Sequence, residues 1–460
     1  SPLLGLQGMG GGVGGFNFLA GAGEGGGLWG WGVNARWFMF QAPAPQTPTN
    51  SASTYSSPRQ IGTDVNWTNL HMGNQTETYM AINSDKELYV WGSNSYGALG
   101  QNQSVSYPET TSGATKPLSA SQQLPGSWKT IHSDTGTLFA IKETDDGLFA
   151  WGNNRNGTMG QNTAGPGQAK SSPTRIPGTW ASAVLGGNDQ FVSAMGVKTD
   201  GTLWTWGRDP FGKLGVPSLG PYPYDQELAK RYSSPIQVGT DTNWGKEMTN
   251  IAMGSRSSYA IKTDGTLWGW GENENHGWIG NVGTDYSSPV QIGANTNWST
   301  VSTLNGYSFF GTKTDGTLWG WGHNSVGQLG QNNNTTYTSP RQIPGTTWRD
   351  VGGIDSASVG ATKTDGTLWT WGNNTDGALG LNDTTHYSSP KQIPGTTWKF
   401  ARADQDAMLA VKTDGTMWAW GNNDNGTLGQ NSRTYYSSPV QIPGTTWRYI
   451  MHNGEGMFMA

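Results

Sequence analysis

The residue types that most often carry catalysis or bind metal are present in this chain, but their spacing does not assemble a site. Six histidines are spread along the sequence, at His71, His132, His276, His323, His386 and His452. No two are spaced i,i+4, and no His-Glu-x-x-His string occurs, so no local element presents paired imidazoles to a metal ion. Their positions within the repeats described below differ, so we do not expect symmetry to bring them together. We therefore predict no metal site.

A second group of candidates is a set of aspartates, each placed between a threonine and a glycine. They are Asp200, Asp264, Asp315, Asp365 and Asp414. An Asp-Gly pair between alternating runs is a strong signal for a tight β-hairpin turn, so every copy has the same geometric reason to exist. The chain also has no Gly-x-Ser-x-Gly string, no P-loop and no dinucleotide fingerprint between a strand and a helix. We predict that the protein is not an enzyme, with no catalytic residue and no cofactor.

Aromatic side chains are the most promising binding groups, because exposed rings stack on sugars and anchor protein interfaces. Most of the 24 tryptophans recur at regular intervals, and we expect these to pack between neighbouring sheets. Aromatic residues that break the regular pattern are better candidates for ligand contact. We assign six such binding candidates: Trp37, Phe38, Phe40, Tyr222, Tyr224 and Trp278.

The elements that would position these side chains are set by internal repeats. The string Thr-Asp-Gly-Thr-(Leu/Met)-Trp-x-Trp-Gly begins at Thr199, Thr263, Thr314, Thr364 and Thr413. Its closing Trp-Gly pair recurs at Trp31, Trp91, Trp151, Trp206, Trp270, Trp321, Trp371 and Trp420. A second string, an aromatic residue followed by Ser-Ser-Pro-x-Gln-Ile-Pro-Gly-Thr-Thr-Trp, is clearest at 387–398. Its closing tryptophan recurs at Trp67, Trp128, Trp180, Trp244, Trp298, Trp348, Trp398 and Trp447. Two markers therefore each count eight units.

One unit, residues 301–350, shows what each repeat folds into. Asp315-Gly316 joins two alternating runs, which predicts a hairpin. On the returning strand Trp319 and Trp321 share one face, because successive side chains of a strand alternate. A later run with a proline suits an edge strand. Four short antiparallel strands in about 50 residues have the dimensions of a propeller blade.

The ten residues that follow each hairpin carry a resemblance to a known family. Trp-Gly-x-Asn-x-x-Gly-x-Leu-Gly, found at 321–330, 371–380 and 420–429, is similar to the signature of the regulator-of-chromosome-condensation (RCC1-like) repeat family. The resemblance covers roughly residues 24–460 and implies a β-propeller. Members of this family usually have seven blades, whereas the markers here count eight.

We predict an all-β chain that forms a single propeller of eight four-stranded blades over residues 24–460. Seven blades plus a stray unit is the alternative. The last unit lacks its hairpin return, and the N-terminal region supplies only that return. We therefore expect the propeller to be closed by pairing residues 26–32 with residues 457–460.

Composition agrees with this class and excludes several functions. Only 33% of the residues are apolar and 13% are charged, whereas a helical solenoid needs long amphipathic stretches. The net charge of −5 gives no basic footprint for nucleic acid. No apolar run is long enough for a membrane-spanning helix, and the first residues lack the basic region of a secretory signal. Without cysteine the chain has no disulfide and no cysteine-ligated zinc.

Four long insertions interrupt the repeats at the same slot, after the Leu-Gly that ends the ten-residue motif. They are residues 33–55, 101–117, 161–172 and 216–232. Pseudo-symmetry predicts that they emerge on one face of the propeller and along half of its circumference. Loops on a rigid scaffold are the usual place for recognition, although drift in exposed loops is the plainer interpretation.

Residues 1–23 differ from the rest because glycines alternate with large apolar side chains. The apolar residues include Leu3, Leu4, Leu6, Phe16 and Phe18. A segment without a core of its own should bury these groups against something. We consider two interpretations: an arm that anchors the propeller to a protein assembly partner, and a strand that lies along its own propeller.

These observations favour a non-catalytic structural or adhesive propeller. We expect it to be a bacteriophage virion component (fibre, tail or capsid appendage) or a bacterial surface component that contacts a protein or a host-surface glycan, at an extracellular or virion-surface location. The family resemblance also implies two alternatives: nucleotide exchange on a small GTPase, and inhibition of a secreted enzyme. The string Gly-Trp-Arg-His-Thr, which the similar ultraviolet-B photoreceptor family needs, is missing.

Overall fold

The computed structural model describes residues 18–19, 26–34, 53–72, 78–102, 118–165, 167–187, 191–217, 231–273, 279–280, 283, 285–304, 307–353, 357–404, 406–444, 446–452 and 456–459. These residues form antiparallel sheets joined by turns, with only single-turn 3₁₀ helices such as Ser95–Gly97 and Met248–Asn250. No helix in these ranges has the length and apolar character needed to cross a membrane.

Eight four-stranded sheets follow one another along the described chain, and we number them as blades. Blade 1 consists of β4 (Trp67–Met72), β5 (Thr78–Asn83), β6 (Leu88–Gly92) and β7 (Leu118–Leu124), and blade 2 of β8 (Trp128–Asp134), β9 (Thr137–Lys142), β10 (Leu148–Gly152) and β11 (Lys170–Ile176). Blade 3 consists of β12 (Trp180–Gly186), β13 (Ser193–Lys198), β14 (Leu203–Arg208) and β15 (Arg231–Gln237), and blade 4 of β16 (Ile251–Met253), β17 (Ser257–Ile261), β18 (Leu267–Gly271) and β19 (Tyr286–Gln291).

The remaining four blades repeat the pattern, and the last is built from both ends of the chain. Blade 5 consists of β20 (Trp298–Leu304), β21 (Ser308–Lys313), β22 (Leu318–Gly322) and β23 (Tyr337–Gln342), and blade 6 of β24 (Trp348–Gly352), β25 (Ser358–Lys363), β26 (Leu368–Gly372) and β27 (Tyr387–Ile393). Blade 7 consists of β28 (Trp398–Asp404), β29 (Ala407–Lys412), β30 (Met417–Gly421) and β31 (Tyr436–Ile442). Blade 8 has the strand order β3 (Ser53–Ile61), β2 (Leu28–Asn34), β33 (Gly456–Met459) and β32 (Met451–His452). A short strand, β1 (Phe18–Leu19), is added to the first strand of blade 1.

Blade 8 confirms the predicted pairing of strands from the two ends of the chain. β2 pairs antiparallel with β33, so that Trp29 lies opposite Met459 and Trp31 opposite Met457. The blade also contacts both of its neighbours. Trp31 Nε1 donates to the carbonyl of Thr427 in blade 7 at 2.7 Å, and Gly26 N donates to the carbonyl of Trp67 in blade 1 at 3.2 Å. The described residues therefore form eight four-stranded blades, which confirms the predicted count.

The Thr-Asp-Gly-Thr string forms the hairpin between the second and third strands of a blade. In blade 5 Gly316 adopts a φ of +79°, which a hairpin of this kind requires. Asp315 Oδ1 accepts from Thr317 N at 3.0 Å and from its hydroxyl at 2.7 Å. That hydroxyl accepts from Trp319 Nε1 at 2.8 Å. Asp315 thus stabilises the hairpin turn, as predicted, and through the Thr317 hydroxyl it also positions the Trp319 ring. These hydrogen bonds give the aspartate a structural role.

In six of the eight blades the tryptophan of the closing Trp-Gly pair bonds the preceding blade. Trp420 is fully buried, and its Nε1 donates to the carbonyl of Ala378 in blade 6 at 2.8 Å. Trp151, Trp206, Trp270 and Trp371 make the equivalent bond to the preceding blade. Gly380 allows this approach, because a Cβ there would lie 2.7 Å from Trp420 Nε1. The repeated indoles are therefore packing between blades, as expected.

A repeated lysine adds a cation–π layer beside the hairpin turn. Lys313 Nζ lies 3.7 Å from the ring centroid of Trp319 and 4.7 Å from that of Trp298. The same arrangement of a lysine over two rings occurs at Lys142, Lys198, Lys262, Lys363 and Lys412. Contacts of this kind contribute roughly 0.5–2 kcal/mol each, depending on desolvation. The repeated lysines, like the repeated aspartates, are accounted for by structure.

Candidate functional site on the insertion face

The blades have two chemically different ends, which follow from the strand order. One end carries the Asp-Gly hairpins and the connections into the next blade, and we call it the hairpin face. The other end carries the turns between first and second strands and the ten-residue Trp-Gly motif, and we call it the insertion face. The four predicted insertions fall between β2 and β3, β6 and β7, β10 and β11, and β14 and β15. They therefore leave the insertion face at the consecutive blades 8, 1, 2 and 3.

The asparagine of the ten-residue motif is a structural residue that organises this face. In blade 6 Asn374 Oδ1 accepts from Leu379 N at 2.8 Å, and its Nδ2 donates to the carbonyl of Thr385 at 3.0 Å. Blades 5 and 7 use Asn324 and Asn423 in the same way. Because this geometry recurs, departures from the motif are the informative positions.

Blade 3 departs from the motif at two positions that matter here: Asp209 replaces the asparagine, and Lys213 stands where other blades have Ala98, Thr158, Gln328, Ala378 or Thr427. The Lys213 side chain is fully buried. Its Nζ donates to the carbonyls of Gly186 and Phe191, at 2.8 and 3.0 Å, at the two ends of the first turn of the blade. Burial lowers the pKa of Lys213 to about 7, although the nearby Asp134 and Asp209 oppose the shift.

A buried lysine with a lowered pKa makes stability depend on pH in a defined direction. The cost of burying the charged amine is fully present below pH 7 and is relieved as pH rises from the folded pKa of about 7 towards the unfolded value. We expect K213M to have a larger free energy of unfolding than the wild type at pH 7. This difference in free energy should be about 2 kcal/mol smaller at pH 8.5. Urea unfolding at both pH values measures the gap, with K170M, an exposed lysine, as the control. A gap that stays constant would contradict the assignment.

Two histidines meet, contrary to the sequence prediction. His71 and His132 lie on the first strands of blades 1 and 2, with ring centroids 5.0 Å apart. Both are buried, and Ser133 N donates to His71 Nε2 at 2.7 Å. Burial and the neighbouring His71 hold the pKa of His132 well below its usual value. The prediction failed because each histidine follows its first-strand tryptophan, Trp67 or Trp128, by the same four residues, a shared repeat position that went unnoticed.

The histidine pair has no third candidate metal ligand among the described residues. Among the described residues no three His, Asp or Glu side chains gather closely enough to hold an ion. The pair also lies inside the packed first strands rather than in an open cleft. We interpret it as a buried packing contact between blades 1 and 2.

The predicted binding residues lie mostly beyond what the structure describes. Trp37, Phe38, Phe40, Tyr222, Tyr224 and Trp278 fall outside the described residues and stay predictions. The same holds for Leu3, Leu4, Leu6 and Phe16 of the predicted arm. The backbone of Phe18 is described, and it pairs with Leu70 of blade 1. This pairing bears on residues 18–19 alone, so the division into an arm (1–23) and a propeller (24–460) also stays a prediction.

The clefts between blades differ in charge on the insertion face. Between blades 3 and 4, Arg256 Nη1 contacts Glu272 Oε1 at 3.0 Å and lies over the Phe211 ring. Between blades 6 and 7, Asn422 Nδ2 donates to Asp376 Oδ2 at 2.9 Å. Between blades 2 and 3 lie Arg155 of blade 2 and Arg208 and Arg231 of blade 3. Sequence reasoning missed this group because its members occupy different positions of two repeats. A rigid surface with such local differences can discriminate between binding partners.

Comparison with known proteins identifies what this architecture is similar to. Residues 139–458 match the family model of the RCC1-like domain. The ultraviolet-B receptor UVR8 of Arabidopsis thaliana is 26% identical over 56% of this chain and 54% of the receptor. The human E3 ubiquitin-protein ligase HERC2 is 24% identical over 58% of this chain and 5% of the ligase. The matched region thus spans little more than half of one relative and a small part of the other.

Solved structures resemble the whole chain. Yeast RCC1 (Prp20), in its crystal structure bound to Kap60, superposes with a TM-score of 0.60 at 13% identity and covers 96% of this chain and 89% of that one. Human WBSCR16 gives a TM-score of 0.57 at 16% identity and covers 94% and 99%. At these identities the likeness concerns the fold.

Proposed function

Because this chain belongs to the RCC1-like domain family, we propose that it is a non-catalytic propeller that binds a protein partner through its insertion face. The observation that carries the proposal is the contrast between the two faces. On the hairpin face the repeated aspartates, threonines, lysines and tryptophans contact one another. On the insertion face four insertions and the departures at Asp209 and Lys213 are concentrated in blades 8, 1, 2 and 3.

Named relatives support a binding role in general terms. Yeast RCC1 (Prp20) is seen bound to Kap60, and the yeast Prp20p structure is described together with binding to Gsp1p and histones. Those partners belong to those proteins. For this chain they support binding of a protein without naming it. Nucleotide exchange on a small GTPase remains the second candidate, and faster nucleotide release from a captured GTPase would establish it.

The finer prediction, an adhesive component of a virion or bacterial surface, stays a proposal without support from these relatives. It includes the extracellular or virion-surface location, the glycan contact and the anchoring arm. Detection of the chain in purified virions or cell envelopes from its source would support it. Recovery only from the fraction inside the cell would oppose it.

Replacing insertions by a short connection from the same protein tests the binding face. In one variant residues 101–117 of blade 1 are replaced by residues 381–386, which make the equivalent connection in blade 6. Asn102 N donates to the carbonyl of Ser171 in the next blade, and Asn382 N donates to the equivalent carbonyl of Ser437. The replacement therefore keeps this hydrogen bond between blades. In a second variant residues 218–230 are bridged by a Gly-Ser linker.

We expect one or both variants to lose capture of the partner from source extract by the tagged full chain, as measured by quantitative mass spectrometry. E143R, an exposed change on the hairpin face, is the control and should capture normally. Loss of the partner with E143R, together with normal capture by both insertion variants, would contradict the proposal.

A further inference from the structure

The cleft between blades 2 and 3 on the insertion face gathers three arginines. We propose that Arg155, Arg208 and Arg231, which we call the arginine site, dock an acidic segment of a partner protein. This inference rests on the proposed function and names the chemistry of the partner.

Two of the three arginines are held side by side by strand register. Arg208 is the last residue of β14 and lies directly opposite Arg231, the first residue of β15. Side chains at directly opposed positions share one face of the sheet with their Cβ atoms about 5 Å apart, and like charges in this arrangement are destabilising. Arg208 is 7% exposed, with its guanidinium 5.0 Å from the Phe191 ring centroid. The strand register therefore concentrates positive charge at the insertion-face end of blade 3.

Arg155 reaches the same cleft from blade 2. The turn that contains it packs on β15, because a Cβ at Gly157 would lie 3.1 Å from Ser233 Cα. Asn162 N also donates to the carbonyl of Ser233 at 2.6 Å. Burial lowers the pKa of Arg208, and the charges of Arg231 and Arg155 lower it further. The charges of Arg155 and Arg231 therefore both act on Arg208.

In two other clefts between blades, a carboxylate contacts a donor side chain. Glu272 faces Arg256 between blades 3 and 4, and Asp376 accepts from Asn422 between blades 6 and 7. Arg155 and Arg231, in contrast, are in no ion pair within the described part of the chain. A cluster of like charges lowers stability, and a local cost of this kind is typical of a binding site.

The chemistry of the site favours carboxylates on a protein. Guanidinium groups bind carboxylates through two parallel hydrogen bonds, and arginine beside an aromatic ring, as Arg208 lies beside Phe191, is typical of interface hot spots. A nucleic acid also carries oxyanions, but the net charge of −5 gives the chain no extended basic surface on which to lay a duplex.

A labelled acidic peptide tests the site in the full chain. Fluorescence anisotropy would compare binding of a fluorescein-labelled octaglutamate to the wild type and to R155Q/R231Q, at about 50 mM salt, where surface charges are weakly screened. We expect about tenfold weaker binding by the double variant, because two charge-assisted hydrogen bonds are lost. R341Q removes an exposed arginine from the rim of blade 5 and should bind as the wild type does. The two substituted side chains are exposed, so an unchanged unfolding midpoint should confirm that the fold is intact.

Equal binding of octaglutamate by the wild type and R155Q/R231Q would overturn the inference. So would tighter binding of inorganic phosphate or of a DNA duplex than of octaglutamate, measured by competition in the same assay. The proposed function is tested separately. If the double variant still captures the natural partner while the insertion variants do not, the insertion face remains the binding surface and only the arginine site is withdrawn.

Discussion

Replacing Trp420 by alanine is expected to lower the free energy of unfolding by about 4 kcal/mol, the usual cost of removing a fully buried tryptophan. The ring joins blades 6 and 7, where it lies edge-to-face with Trp398 at 6.3 Å and donates to the carbonyl of Ala378. The variant loses that packing and leaves the carbonyl without its donor. Chemical denaturation followed by tryptophan fluorescence measures the change.

The same blade offers matched controls for this experiment. Trp418, two residues earlier, is only half-buried and donates to Thr416 within its own hairpin, so W418A should lose less than half as much stability. W420F keeps most of the ring and loses the hydrogen bond, which should cost about 1–2 kcal/mol. Equal losses for W418A and W420A would show that contacts within a blade, rather than between blades, dominate stability.

Removing residues 456–460 is expected to destabilise the chain by on the order of 4 kcal/mol, because β2 loses the four-residue ladder with β33. The deletion also leaves the edges of β2 and β32 unpaired, which favours association between molecules. Thermal unfolding and light scattering would show a lower midpoint and larger particles. An unchanged midpoint would contradict the closure of the propeller by its two ends.

A circular permutant separates the loss of pairing from the loss of chain continuity. Met459 lies opposite Trp29, so β33 and β2 are paired as the two strands of a hairpin are. Joining residue 460 to residue 28 through Lys-Thr-Asp-Gly-Thr supplies the turn that the other blades use, and the new ends can be placed in the insertion at 103–117. This permutant lacks residues 1–27, so its reference is the linear chain that begins at residue 28. We expect the two to be equally stable, since both preserve every four-stranded sheet. A permutant as unstable as the deletion would indicate that the ladder is not what closes the ring.

The sequence was sufficient for the fold because local signals and repeat spacing agree. Asp315-Gly316 predicted a hairpin, the spacing of Trp319 and Trp321 predicted a packed face, and the hairpin and the buried Trp321 are observed. The incomplete units at the two ends predicted the β2–β33 pair. Each of these inferences depends on residues that are near in sequence or on a period that recurs eight times.

The site was less predictable because its contacts join positions that differ from blade to blade. Arg155 and Arg208 occupy different slots of the ten-residue motif, and only the packing of one blade on the next places them in the same cleft. Lys213 is an isolated departure whose burial follows from the turn it bonds. His71 and His132 share a slot, so a comparison of first strands would have found them. The aromatic candidates, such as Trp37 and Trp278, await a test.

Hydrogen exchange measured with and without the captured partner tests the binding face most directly. The account predicts slower amide exchange at the ten-residue motifs and insertions of blades 8, 1, 2 and 3, with strong slowing beside Arg155 and Arg231. It predicts no change at the Asp-Gly hairpins of the opposite face. Slowing confined to those hairpins, with the insertions unchanged, would contradict the claim that this propeller binds through its insertion face.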